Sequence, residues 1–148
     1  MAVLKNTLTL NDALKISSPL RFNMMFKPIG SVCNLDCSYC YYLDKKKMFS
    51  DNLVMPISLL EKIIKEYIQI NNNEQIVFDW HGGEPLLLGI DYFKKIVAIQ
   101  NKYKGRKHVF NTIQTNSTLM NDDFAKFFRD NGFLVGVSID GPEDIHDK

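Results

Sequence analysis

The sequence predicts an α/β fold with a parallel sheet. Short apolar segments alternate with segments whose apolar residues recur at helical spacing. No Gly/Ser-rich or Pro-rich linker interrupts this alternation, so we expect one domain. The order strand, helix, strand is typical of βαβ units, whose crossovers are right-handed. The chain has 148 residues, and domains most often have roughly 100 to 150. The length is therefore sufficient for a substantial core.

The strands are predicted from short apolar or alternating runs that end at turn residues or polar clusters. The second run, for example, stops at Gly82 and Gly83. The four predicted strands are FNMMFKP (22–28), QIVFDW (75–80), HVFNTIQT (108–115) and FLVGVSI (133–139).

The helices are predicted from apolar periodicity and from residues suited to helix ends. PISLLEKIIKEYIQI (56–70) has apolar residues at helical spacing, and Pro56 suits a first helical turn. DYFKKIVAIQNKY (91–103) is the next predicted helix. NDDFAKFFRDNG (121–132) begins with an Asn cap and early acids and stops at a glycine.

The sequence ends at DGPEDIHDK (140–148), where a fourth crossover helix is expected to begin. Four parallel strands with no covering element after the last would leave one sheet edge and part of one face bare. We therefore expect the chain to be incomplete.

Charge and composition exclude several classes of partner. Lys and Arg number 18 and Asp and Glu 17, and the one basic run, Lys45–Lys47, is short, so we expect no nucleic acid and no membrane surface as partner. The first 20 or so residues lack a signal-peptide core, and no run approaches the roughly 18 apolar residues of a membrane span. An odd number of closely spaced cysteines also fits poorly with a secreted disulfide framework. We expect a cytoplasmic protein.

All three cysteines of the chain lie in the loop that follows the first predicted strand. Cys33, Cys37 and Cys40 have the spacing C-x3-C-x2-C. Four cysteine thiolates saturate a [4Fe-4S] cluster, so three leave one iron open for a ligand. A structural zinc site would need a fourth ligand, and none of the three histidines has the usual finger spacing. Three inert buried cysteines fit poorly with so polar a loop.

Further polar segments follow the other predicted strands: WHGGEP (80–85), QTNS (114–117) and VSIDGP (137–142). Taken singly, each is compatible with an ordinary turn or helix cap. Because the carboxyl ends of parallel strands share one edge of the sheet, we expect these segments to converge on the cysteine loop. Paired glycines allow a close backbone approach to a ligand, and Glu84 is able to accept a charge-assisted hydrogen bond from an ammonium group.

The cysteine spacing, with Tyr39 directly before the third cysteine, resembles the cluster loop of the radical S-adenosylmethionine superfamily, and GGEP resembles its methionine-binding motif. KPIGSVCNLDCSYCYYLDK, WHGGEPLLLG, IQTNSTLMND and VGVSIDGPEDIHD together resemble the anaerobic sulfatase-maturating enzymes, a branch with a SPASM-type cluster region toward its C-terminal end. On this basis residues 1–21 are expected to be an N-terminal extension. Residues 22–148 are expected to be a radical SAM domain, truncated after about the fourth strand.

The resemblance implies the N-terminal portion of a partial (β/α)6 TIM-like barrel that uses a [4Fe-4S] cluster and S-adenosylmethionine. It implies that Cys33, Cys37 and Cys40 are the cluster ligands. The implied cofactor contacts are Tyr39 at the adenine, Gly82, Gly83 and Glu84 at the methionine end, Asn116, and Ser138 near the ribose or carboxylate; the implied substrate contacts are Tyr42 and His81.

Two positions depart from the family pattern. His81 stands where the family often has Gln, and Ser117 stands where Gly is usual. The first departure bears on the choice of peptide and the second on local turn geometry. The family's acid-base aspartate and its auxiliary-cluster cysteines are expected beyond residue 148.

The resemblance implies that one electron from the cluster cleaves S-adenosylmethionine and that the resulting 5'-deoxyadenosyl radical takes a hydrogen from the β-carbon of a cysteine or serine in a nascent sulfatase. The product would be Cα-formylglycine, and a one-electron donor such as ferredoxin or flavodoxin is expected as a partner. Two alternatives stay open. One is a radical SAM maturase that builds thioether or carbon-carbon crosslinks in another peptide, and the other is an inactive metal-binding fragment.

Overall fold

The structure is a computed structural model that describes residues 22–42 and 54–146. The predicted N-terminal extension and the basic run Lys45–Lys47 lie outside the described residues. The elements in chain order are β1 (Met24–Phe26), α1 (Ile57–Ile70), β2 (Gln75–Trp80), a short 3-10 helix (Pro85–Leu88), α2 (Ile90–Tyr103), β3 (His108–Thr115), α3 (Asp122–Asp130), β4 (Phe133–Val137) and α4 (Glu143–His146).

The four strands form one parallel sheet in which the spatial order equals the chain order, β1-β2-β3-β4. Each crossover therefore steps to the next strand in the same direction. Right-handed crossovers that always step the same way place their helices on one face, as in a barrel, whereas a doubly wound sheet reverses its order and carries helices on both faces. The predicted α/β fold with parallel strands is confirmed.

The core lies between the sheet and α1, α2 and α3. Alternate residues of β2, namely Ile76, Phe78 and Trp80, are fully buried against the helices. The alternation follows from strand geometry, in which successive side chains point to opposite faces. The helices contribute Leu60, Ile64, Phe93, Ile96, Phe124 and Phe128 to the same cluster.

The strand residues that alternate with the buried ones point to the opposite face of the sheet, which we call the concave face. Met25, Phe110 and Leu134 on this face are 55%, 48% and 70% exposed. Asp79 and Thr112, in register on β2 and β3, are joined by a hydrogen bond of 2.5 Å from the Thr112 hydroxyl to the carboxylate. Within the described part of the chain this face is thus largely open, as expected for a sheet with helices on one side.

Two predicted strands are too long. β1 begins two residues later than predicted, and both β1 and β4 stop two residues earlier than predicted. β1 stops at Phe26 because a turn follows, closed by the Gly30 N–H to the Lys27 carbonyl at 3.0 Å. β4 stops at Val137 because its neighbour β3 ends at Thr115, whose carbonyl accepts the last bond, from Ser138 N–H.

The helix ends agree closely with the predictions. The Asn121 side chain caps α3 by accepting from the Phe124 N–H at 3.0 Å, as predicted. Pro56 occupies the N-cap of α1 rather than its first turn. The Pro85–Leu88 3-10 helix was not predicted. Among the described residues, no helix combines the length and the apolar character that a membrane crossing requires.

A buried amide joins α2 to the sheet. Oδ1 of Asn111 accepts from Trp80 Nε1 and from Gln100 Nε2, both at 2.8 Å, and its Nδ2 donates to Gln100 Oε1 at 3.0 Å. All three side chains are buried. A buried polar group is costly unless its hydrogen bonds are satisfied, so this triad favours one packing of α2 against β2 and β3.

We expect Asn111→Ala to lower the free energy of unfolding by about 1 to 3 kcal/mol, because it leaves the Trp80 indole N–H and the Gln100 amide without a buried partner. The matched control is Asn101→Ala at an exposed position of α2, where a change within about 0.5 kcal/mol is expected. Urea unfolding followed by circular dichroism measures both. Equal free energies of unfolding for the two variants would contradict a structural role for the triad.

Candidate functional site

A cavity of about 320 Å³ lies at the carboxyl edge of the sheet, where the loops after all four strands meet. This is the edge at which parallel α/β folds assemble their sites. Nine of the residues predicted for the site line it: Cys33, Cys37, Tyr39, Cys40, Tyr42, Gly82, Gly83, Asn116 and Ser138. Glu84 and His81 are not among its lining residues.

The three cysteines are partly buried thiols that form no disulfide. A backbone turn, with Cys40 N–H bonded to the Cys37 carbonyl at 2.9 Å, brings the second and third cysteines to the same wall of the cavity. No group of three His, Cys, Asp or Glu side chains in the described ranges converges on a single metal ion. In a [4Fe-4S] cluster each thiolate binds its own iron, so the three thiols need not meet at one point. The donor set and the cavity fit such a cluster.

Gly83 and Glu84, in the segment after β2, hold the base of the cysteine loop. Gly83 N–H donates to the Gly30 carbonyl at 2.7 Å, and Glu84 N–H donates to the Val32 carbonyl at 2.8 Å. A Cβ on Gly83 would lie 2.0 Å from the Val32 carbonyl oxygen. The sequence suggested that paired glycines serve the approach of a ligand. The structure shows that the close contact between these two loops leaves no space for a Cβ at position 83, and the role of the glycines toward a ligand stays a prediction.

Glu84 is fully buried and contacts two residues that line the cavity, Thr115 and Asn116. Its Oε1 accepts from Leu86 N–H at 2.8 Å and from the Thr115 hydroxyl at 2.7 Å, and its Oε2 accepts from Asn116 N–H at 2.7 Å. A carboxylate has about four acceptor directions, so three of them are taken by the protein. Glu84 therefore joins the end of β2 to the end of β3, and its contact with a ligand ammonium stays a prediction.

Tyr39 joins the cysteine loop to the segment after β4. Its hydroxyl donates to Asp140 Oδ2 at 2.5 Å across 101 residues of sequence. This hydrogen bond to a carboxylate is the main reason that the pKa of Tyr39 is raised above its usual range. Asp140 in turn lies 3.6 Å from Nδ1 of His146 in α4.

His81 faces a second cavity, of about 350 Å³, on the concave face. Gln114 borders both this cavity and the one at the carboxyl edge, and its Nε2 donates to the Ser138 hydroxyl at 2.9 Å. Tyr42, the other predicted substrate contact, accepts at its hydroxyl from Lys27 Nζ, and this bond raises the pKa of Lys27. Tyr42 lines the first cavity and His81 lines the second, so the two predicted substrate residues lie in cavities that share the Gln114 side chain.

The structure adds Leu35, Gln114, Thr115 and Asp140 to the lining of the first cavity. Gln114 had a readable signal, since alternation with buried Ile113 and Thr115 directs its side chain to the opposite face. Asp140 belongs to a segment that the sequence singled out, but its pairing with Tyr39 depends on how β4 is placed. Leu35 carried no signal that distinguishes it.

A singly wound parallel sheet whose carboxyl edge presents three closely spaced thiols to one cavity defines a barrel-type protein suited to an iron-sulfur cluster. The sequence profile of the Radical SAM superfamily matches residues 28–148. The chain belongs to this superfamily. Membership implies a [4Fe-4S] cluster and S-adenosylmethionine as cofactors.

The predicted resemblance to anaerobic sulfatase-maturating enzymes is confirmed by similar proteins. A serine-type enzyme of Bacteroides thetaiotaomicron is 49% identical over 127 residues, which cover 84% of this chain and 31% of the relative. A cysteine-type enzyme of Clostridium novyi is 45% identical over 130 residues, covering 85% and 34%. The chain thus spans about a third of the length of these relatives.

A solved structure described as native anSMEcpe with bound AdoMet and Kp18Cys peptide is 36% identical, with a TM-score of 0.77 over 84% of this chain and 33% of that one. A second, of polyhistidine-tagged anSMEcpe with bound AdoMet, has a TM-score of 0.78 over 86% and 34%. These likenesses confirm the predicted fold class, the N-terminal part of a partial TIM-like barrel.

We expect Gly83→Ala to reduce both the thermal stability and the iron content after anaerobic reconstitution, because the new Cβ would lie 2.0 Å from the Val32 carbonyl oxygen and would force the backbone of the cysteine loop to shift. Gly136→Ala is the matched control. Its Cβ would meet Oε1 of the Gln114 side chain at 2.4 Å, and a side chain is able to rotate away. Iron analysis and the melting temperature measure the difference, and a Gly83→Ala protein as stable and iron-rich as Gly136→Ala would contradict the tight docking of the two loops.

Proposed function

We propose that the protein to which these residues belong oxidises a cysteine or serine of a sulfatase to Cα-formylglycine. The observation that carries the proposal is the first cavity, where three cysteine thiols lie together with Gly83, Asn116 and Ser138, which resemble the cofactor contacts of this family. The 49% identity to a serine-type and the 45% identity to a cysteine-type maturase support the substrate class.

In this proposal Cys33, Cys37 and Cys40 hold the cluster, whose fourth iron stays free for S-adenosylmethionine. When bound, these two cofactors supply a one-electron cleavage that produces a radical able to remove a hydrogen atom. The protein's own task is to bind and orient. Tyr39 is held toward the segment after β4 by its hydrogen bond to Asp140. Ser138 is held by its hydrogen bond from Gln114. Each of these proposed cofactor contacts is therefore positioned by a residue from another strand or the loop after it.

The second cavity is our candidate for the substrate peptide. It lies on the concave face, it is lined by His81, and Gln114 lines both this cavity and the first one. A peptide held there would place a side chain next to the cofactor, which is the positioning that hydrogen abstraction requires. A one-electron donor such as ferredoxin or flavodoxin is proposed as the source of the electron.

We expect the complete protein, reconstituted with iron and sulfide without oxygen and supplied with dithionite and S-adenosylmethionine, to release 5'-deoxyadenosine. Cys37→Ala should abolish this release, because two remaining cysteines hold a cluster poorly. Ser58→Ala, at an exposed position of α1, should retain it. Liquid chromatography of the nucleoside measures both. A wild-type protein that carries its cluster and releases no 5'-deoxyadenosine would refute the radical chemistry and favour a metal-binding protein without turnover.

The substrate is tested in the same assay with two sulfatase peptides that differ in having cysteine or serine at the modified position. Mass spectrometry should detect an aldehyde at that position in at least one of them. Release of 5'-deoxyadenosine with neither peptide converted would reject the sulfatase substrate while leaving the radical chemistry intact. That result would favour a relative that crosslinks another peptide.

A further inference from the structure

Two N–H groups point at the sulfur of Cys33. The Leu35 backbone N–H lies 3.4 Å from Sγ, and Nδ2 of Asn116 lies 3.7 Å from it. The first donor belongs to the cysteine loop itself. The second comes from the end of β3, 83 residues away in sequence. Asn116 therefore connects a predicted cluster ligand to a different strand of the sheet.

The orientation of the Asn116 amide is set by its other contacts. Its Oδ1 accepts from the Thr118 backbone N–H at 3.0 Å and from the Thr118 hydroxyl at 2.7 Å. A backbone N–H only donates, so the oxygen must face Thr118 and the NH2 group must face the cysteine loop. There Nδ2 also donates to Asn34 Oδ1, at 3.1 Å.

The backbone of Asn116 is anchored as well. Its N–H donates to the buried Glu84 carboxylate at 2.7 Å, and charge-assisted hydrogen bonds of this kind are strong. Asn116 is itself half-buried. Its amide donor is thus held beside Cys33 by three residues, Glu84, Thr118 and Asn34.

We propose that Asn116 sets the reduction potential of the cluster by donating its side-chain amide hydrogen to the sulfur of Cys33. The inference rests on the proposed function in one respect, namely that Cys33 is a cluster ligand. Hydrogen bonds to cluster sulfurs are among the factors that tune cluster potentials. The reduced cluster carries one more negative charge than the oxidised one, so a donor at the thiolate stabilises the reduced form more and raises the potential. No bond is broken in this step, and the electron comes from an external low-potential one-electron donor.

The test is a redox titration of the complete, anaerobically reconstituted protein, monitored by electron paramagnetic resonance without S-adenosylmethionine. In Asn116→Ala the equilibrium constant for reduction should fall about threefold to tenfold, since a net hydrogen bond contributes roughly 1 kcal/mol. At about 59 mV per tenfold change for one electron, the midpoint potential should become about 30 to 60 mV more negative.

Thr118→Val is the matched control for the position of the loop. It removes the hydroxyl that bonds Asn34 Nδ2 and Asn116 Oδ1, while the Thr118 backbone N–H still holds Asn116 Oδ1 and keeps the amide donor facing Cys33. The equilibrium constant for reduction of this variant should change less than about twofold, which is smaller than the change expected when the Asn116 donor is lost. Unchanged reduction in Asn116→Ala would overturn the proposal. Equal shifts in both variants would also overturn it, because they would assign the effect to the position of the loop rather than to the donor.

A second measurement needs no variant. Wild-type protein labelled with 15N in its asparagine side chains should show a 15N hyperfine coupling to the reduced cluster, and Asn116→Asp, which keeps an acceptor for Thr118, should lose it. Absence of the coupling in wild-type protein would refute the proposed contact. The titration requires the cluster but no turnover, so a failed release of 5'-deoxyadenosine leaves this test valid. A wild-type protein that takes up no cluster would refute both proposals.

Discussion

The buried carboxylate of Glu84 is the interaction on which the arrangement at the carboxyl edge depends. It has no exposed surface, and it accepts hydrogen bonds from the 3-10 helix, from Thr115 and from the backbone of Asn116. A buried charge is tolerated only when it is paired or well hydrogen-bonded, and each such bond is worth roughly 1.5 to 3 kcal/mol. Since Glu84 and one donor lie in the segment after β2 and the other two donors lie at the end of β3, the carboxylate holds these two segments together.

The rest of the cavity is built outward from that contact. The backbone N–H groups of Gly83 and Glu84 hold the base of the cysteine loop by donating to the Gly30 and Val32 carbonyls. Asn116 contacts Cys33 from the end of β3. Tyr39 and Asp140 then close the cavity toward β4. The cysteine loop has little secondary structure of its own, so these contacts from three strands are what positions it. A loop held in this way presents its thiols in a defined arrangement before any cofactor binds, which reduces the cost of ordering on binding.

The fold was largely predictable because its signals are local. Apolar periodicity and a capping Asn121 placed the helices, and β2 and β3 begin and end at the predicted residues. The ends of β1 and β4 were predicted less well, because a strand ends where its neighbour stops pairing, and that depends on the sheet rather than on the residues of the strand. The order of the strands is likewise a property of the whole sheet, and the apolar periodicity of the sequence does not predict it.

The sequence by itself determined the chemistry that is available here: three thiols at C-x3-C-x2-C spacing, polar strand ends, and motifs that belong to the radical SAM superfamily. The convergence of these segments at the carboxyl edge followed from the predicted parallel sheet, but only the tertiary structure decided which side chains contact each other. Spacing along the chain states nothing about contacts across 83 or 101 residues, as between Asn116 and Cys33 or Tyr39 and Asp140. The motif also did not show that Glu84 is buried and accepts hydrogen bonds from three protein donors. Burial depends on segments that are distant in sequence, and the local sequence of each segment does not indicate which residue it will cover.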